Sequence, residues 1–119
     1  METKSLSEST ICCFGDSTTW GDNGCGGGGN DISWTSHLGA LLGGAVIENF
    51  GIKGSRIAIK ADRSDSFVER LDGIDNAADI YIVFGGVNDF SRNVPLGELG
   101  STDVHEFYGA LDYLIRTIT

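Results

Sequence analysis

Three short segments each set glycine beside a small polar side chain. They are Gly15-Asp16-Ser17-Thr18-Thr19-Trp20-Gly21, Asn49-Phe50-Gly51-Ile52-Lys53-Gly54-Ser55 and Gly85-Gly86-Val87-Asn88-Asp89. Ser17 on a tight turn can present its hydroxyl to a cleft. Gly54 has no Cβ, so its backbone N–H can approach a ligand closely. The Asn88 side chain offers an uncharged amide donor. A serine hydroxyl beside such donors is the minimum for acyl transfer, in which the serine attacks a carbonyl and the donors hold the developing oxyanion. Asp16 and Asp89 stand in the same turns and read as carboxylates that accept backbone N–H groups and shape the loops.

The elements that must position these residues are legible as hydrophobic patterns. Thr10–Phe14, Ala45–Phe50 and Ile80–Phe84 are short runs rich in β-branched or aromatic residues. The first and third are almost continuously apolar, as strands buried on both faces are. Trp34, Leu38, Leu41 and Leu42 recur at helical spacing, with Ser33 as a cap and Gly43-Gly44 as a stop. Phe67, Val68 and Leu71 predict a short helix capped near Ser64 to Ser66. Val104, Phe107, Tyr108, Leu111, Leu114, Ile115 and Ile118 form a long stripe, with Asp103 and Glu106 at capping-box spacing before it. The glycine-rich stretch 24–29 and residues 91–101 read as loops. Alternating strand and helix predicts an α/β protein, a parallel sheet with helices on both faces, strand order 2-1-3 and each turn of interest at a strand's carboxyl end.

With those turns in place, the chain resembles the SGNH (GDSL-type) hydrolases. Gly15-Asp16-Ser17 is similar to the family's first block, with Ser17 in the nucleophile position. Gly54, five residues after Asn49, matches the second-block glycine, and Gly86-Val87-Asn88-Asp89 matches the third block, GxND. The segments Pro95-Leu96-Gly97 and Phe107-Tyr108-Gly109-Ala110-Leu111 look like those of carbohydrate-esterase-like bacterial members. The resemblance runs from about Ile11 to the end. It implies a three-layer α/β/α sandwich with a flavodoxin-like parallel sheet. It also implies a single domain over 1–119 and ester hydrolysis through an acyl-serine, with an oxyanion hole of Ser17 N–H, Gly54 N–H and Asn88. The substrates it implies are small-molecule esters of short acyl groups, such as O-acetyl groups on carbohydrate. No cofactor and no metal are implied.

The family's fourth block, DxxH, does not occur in these residues. Of the two histidines, His37 falls within a predicted helix. His105 follows Asp103 as DxH at the start of the last helix and is the one candidate base on the chain. The final helix ends without a stop signal and the third strand is apolar for a sheet edge. The expectation is therefore a domain cut after the third strand and its helix, with its base outside and little activity alone. A serine without a base is a poor nucleophile.

Composition narrows the alternatives. The 119 residues carry 8 Lys and Arg against 17 Asp and Glu, a net charge of −9. That sign disfavours nucleic acid, anionic membrane surfaces and strongly anionic substrates. No apolar stretch approaches the roughly 20 residues of a membrane helix, and the polar first ten residues do not form a secretory signal, which points to the cytoplasm. Cys12 and Cys13 read as small buried hydrophobes, whereas Cys25 lies among glycines. Two rival classes remain. A non-catalytic binding module for a carbohydrate or acyl ligand would bind regardless of Ser17. A nucleotide- or flavin-binding domain would use the GDSTTWG turn for phosphate and leaves GxND unexplained.

Overall fold

A computed structural model describes residues 5–74 and 78–119. The chain divides into two compact units, Met1–Lys53 with Asp75–Phe84, and Gly54–Ile74 with Gly85–Thr119. Among the described residues no helix is long and apolar enough to cross a membrane.

The first unit holds the sheet. Strands β1 (Thr10–Gly15), β2 (Val46–Gly51) and β3 (Ile80–Phe84) pair in parallel in the order β2-β1-β3. This is the expected α/β class with a flavodoxin-like parallel sheet. Ile11, Cys12, Cys13 and Phe14 of the central strand are all buried, which is why that strand has no polar alternation. Ile11 and Cys13 form a core with Ala45, against which Trp34, Leu38, Leu42, Ile47, Ile80 and Ile82 pack. On the opposite strand face, the Phe14 and Phe50 rings stack with centroids 5.8 Å apart. Two helices belong to this unit, α1 (Ser17–Trp20) and α2 (Thr35–Leu41). Leu41, read as part of the α2 stripe, is instead 80% exposed. Leu38 and Leu42 meet the sheet, and Leu41 lies off that face. β3 is an edge strand in this sheet, and Val83 and Phe84 at its end are exposed.

The second unit contains α3 (Phe67–Leu71), α4 (Val87–Ser91) and α5 (Phe107–Ile118). Its buried apolar residues are Ile57, Ala58, Phe67, Val68, Leu71, Ala110 and Leu114. Ser66 caps α3 with its side chain: its Oγ accepts from Glu69 N at 3.1 Å and donates to Glu69 Oε1 at 2.6 Å. The capping box read before α5 does not form. Glu106 is itself the N-cap residue and its carboxylate accepts from Ser101 Oγ, while Asp103 turns to His105. Helix α5 consequently begins at Phe107, and Val104 lies in the preceding turn, where its carbonyl accepts from Ile59 N.

Burial separates the three cysteines chemically. Cys12 and Cys13 are fully buried, and burial pushes the Cys13 thiol up to about 11. Cys25 is exposed. Because the thiolate is the reactive form, iodoacetamide at neutral pH is expected to modify Cys25 alone in the folded chain. Cys12 and Cys13 should react only in denaturant. Intact-mass analysis checks this, and prompt triple modification of the folded protein would contradict the closed core.

Candidate active site

The first unit supplies Ser17. Strand β1 runs straight into α1, and the join needs glycine, because a Cβ on Gly15 would fall on the Thr19 hydroxyl. Asp16 is the N-cap of α1, and its carboxylate accepts from Thr18 N at 3.2 Å. At the other end, Gly21 adopts φ +106, and the N–H groups of Gly21 and Asp22 both donate to the Ser17 carbonyl, at 2.9 and 3.0 Å. Ser17 is thus held at both flanks by backbone geometry. Its side chain is half-buried, and neither its hydroxyl nor its N–H has a protein partner among the described residues.

Asn49, a residue the motif reading used only as a spacing mark, is the brace beneath this turn. Its amide donates to the Thr19 carbonyl (2.8 Å), Asn30 Oδ1 (2.8 Å) and Thr35 Oγ1 (3.1 Å), and its oxygen accepts from Gly51 N (2.8 Å). Buried Ser33 also donates to the Thr19 carbonyl, at 2.6 Å. A polar residue amid an apolar strand was the available signal for this role. Gly51 lies so close to α1 that a Cβ there would strike Trp20 N. Just beyond, Ile52 N donates to the Gly15 carbonyl (3.1 Å), and Lys53 Nζ stands 4.5 Å from the Trp20 ring centroid and 3.9 Å from Asp22. The second-block chain is therefore pinned to α1 up to the residue before Gly54.

The second unit supplies Gly54, Asn88 and Asp89. Gly54 sits at φ +76 in a turn, and its N–H has no partner among the described residues. Asn88 and Asp89 lie on α4, a helix where the sequence suggested only a turn; Gly86 at φ +113 opens it. Asn88 Nδ2 donates to the Ser55 carbonyl at 2.9 Å. One of its two amide hydrogens is thereby used, leaving the other without a protein acceptor among the described residues. Asp89 is buried, and its two carboxylate oxygens accept from Ile57 N (2.8 Å) and Ala58 N (3.0 Å). The structure thus brings Asn88 onto the residue next to Gly54, and Asp89 onto the two residues that close the same loop.

The histidines lie apart from these contacts. His37 is exposed on α2. His105 is exposed in the second unit, and its Nδ1 meets Asp103 Oδ1 at 2.9 Å while its N–H donates to the same oxygen. The His105 backbone and ring hydrogen bonds together hold the Asp103 carboxyl below its ordinary value. A groove of about 540 Å³ in the second unit is lined mainly by apolar groups, among them Phe90, Val94, Leu96 and Phe107. Neither Gly54 nor Asn88 lines it.

The chain belongs to the GDSL-like Lipase/Acylhydrolase family, whose pattern matches residues 13–119. It is similar to one crystal structure at 94% identity and a TM-score of 0.94, covering 98% of this chain and 53% of that one. A structure of a Lactobacillus plantarum protein matches at 33% identity with a TM-score of 0.71, over 92% of this chain and 49% of the other. A possible lipase from Chitinophaga pinensis shares the fold at 23% identity and a TM-score of 0.65, over 93% and 43% respectively. The chain thus spans about half the length of these structures. No curated protein matches it.

Proposed function

We propose that this chain carries the nucleophile and oxyanion donors of a serine ester hydrolase acting on short acyl esters, O-acetylated carbohydrate among them. Ser17 Oγ attacks the ester carbonyl. The N–H groups of Ser17 and Gly54 and the spare amide hydrogen of Asn88 receive the oxyanion, and the alcohol leaves to give an acyl-serine. Asp16 and Asp89 support the turns and take no proton.

One observation carries this reading. The three strands end level, with Gly15 in register with Gly51 on one side and Phe84 on the other. Ser17, Gly54 and Asn88 follow two, three and four residues beyond those ends. A parallel sheet collects its ligands at that edge. The general base in this proposal is a histidine other than His37 and His105, since neither belongs to a DxxH segment. Without it the acyl-serine forms slowly and is not turned over. In serine proteases that lack a triad member, oxyanion donors and binding alone leave about 10³–10⁴-fold acceleration over water, and a similar remainder is expected here.

Peptide mapping after exposure to p-nitrophenyl acetate tests the proposal. The acetyl group is expected to accumulate on Ser17 well before any other serine. Equal labelling of Ser17 and exposed serines such as Ser91 would sink it and favour a binding module. Steady turnover abolished by His105→Ala would place the base at His105.

A further inference from the structure

We propose that Arg63 is a positioning residue for acylation, acting through the Gly54 turn; the inference rests on the reading of Ser17 as nucleophile and Gly54 as oxyanion donor. A Cβ built on Gly54 would fall on Arg63 Nη1, with the guanidinium carbon 3.3 Å from that position. The tip of the guanidinium, Nη1, therefore occupies the space beside the turn that a side chain at Gly54 would otherwise take. It has little freedom to leave. Arg63 Nε and Nη2 donate to the two oxygens of Asp65 at 3.0 and 2.6 Å, a two-point fork that fixes the plane of the group as well as its place. Hydrogen bonding from Arg63 in turn holds the Asp65 carboxyl below its ordinary value.

The same turn is gripped elsewhere. Asn88 holds the Ser55 carbonyl, and Arg70 Nη2 donates to Ser55 Oγ at 3.1 Å while its Nε donates to the Asp65 carbonyl at 2.9 Å. Asp65 thus anchors both arginines, one on Gly54 and one on Ser55. A glycine at φ +76 has no side chain of its own to fix its peptide plane, so the direction of its N–H depends on what packs against it. Five of the chain's eight basic residues fall between Lys53 and Arg70. Arg56 and Arg63 are matched by Asp62 and Asp65, so part of this positive charge is neutralised by neighbouring carboxylates. The sequence offered no motif for Arg63, because its effect runs through a backbone atom nine residues earlier.

The test uses the 119-residue chain and the rate of Ser17 acetylation by p-nitrophenyl acetate, followed by peptide mass. Arg63→Ala is expected to slow acetylation at saturating ester by about 10- to 100-fold, the cost of a small misplacement of a reacting geometry. The ester concentration giving half-maximal rate should stay unchanged. Arg63→Lys keeps the charge but not the fork and should recover little. Millimolar guanidinium ion added to Arg63→Ala should restore part of the rate, which a merely structural role would not allow. Thermal unfolding of each variant, measured alongside, identifies a loss caused by unfolding. Full-rate acetylation in a folded Arg63→Ala chain overturns the inference while leaving the Ser17 reading intact. So does a loss that guanidinium cannot rescue and that follows stability across Arg63→Ala, Arg63→Lys and Asp65→Asn. Absence of Ser17 acetylation in the unaltered chain overturns both.

Discussion

Asn88→Asp is expected to slow acetylation of Ser17 by about 10²–10³-fold, the usual loss when one oxyanion donor is removed. The substitution changes the shape of the side chain very little. It replaces a group with two N–H donors by one that only accepts when ionised. The effect should therefore appear in the rate with bound ester and barely in the ester concentration required. Two losses combine. The hydrogen facing the oxyanion disappears, and the 2.9 Å bond to the Ser55 carbonyl, which aims the amide, is replaced by two oxygens facing each other. Asn88→Ala separates both of these losses from charge repulsion, since it removes the whole amide without adding a charge that repels the oxyanion. Asn88→Ala slowed about as much as Asn88→Asp identifies the missing donor as the cause. A much larger loss in Asn88→Asp identifies charge repulsion. Ser17→Ala serves as the floor, with no acetyl on that peptide. Asn88→Ala labelling Ser17 at the unaltered rate would remove Asn88 from the oxyanion hole.

How much of this was legible in the sequence depends on the range of the interaction. Strands announced themselves because burial on both faces leaves a continuous apolar run, as in Ile11 to Phe14. The Ser17 turn was equally clear, since a glycine before and after a short polar stretch marks a sharp strand-to-helix join. What failed was finer. Leu41 fits a helical stripe by spacing, yet which edge of a stripe meets the sheet is decided by packing, and Leu38 and Leu42 take that place. Asp103 and Glu106 have capping-box spacing, but Glu106 finds Ser101 and Asp103 finds His105, so local side-chain partners outcompeted the box. Helix α4 was hidden because Asn88 and Asp89 read as turn residues, and its two apolar residues, Val87 and Phe90, are exposed and form no stripe packed on a core. Asn49 and Arg63 escaped for a different reason. Each reaches a turn distant in sequence, Asn49 the Thr19 carbonyl and Arg63 the space beside Gly54, so residue type alone hinted at a polar role for Asn49 but did not name its partner, and gave no hint for Arg63.

Asp89→Ala is expected to destabilise the chain by about 2–6 kcal/mol. The figure follows from two buried N–H groups, those of Ile57 and Ala58, each losing its acceptor at about 1–3 kcal/mol. Both donors and the carboxylate are buried, so water cannot replace the lost acceptor without opening the loop. Asp89→Asn is not expected to rescue the protein. Its single oxygen satisfies one N–H, but its NH₂ then faces the other, donor against donor. Urea unfolding with a common slope for the three proteins measures both effects. The loss should extend to chemistry. Asp89 ties α4 to residues 57 and 58, and its neighbour Asn88 ties the same helix to Ser55, so loosening one anchor loosens the aim of the other. In conditions where Asp89→Asn remains folded, its Ser17 acetylation should still fall below that of the unaltered chain. Unchanged stability in Asp89→Ala would mean that the loop finds other acceptors, and the carboxylate would then need a different explanation.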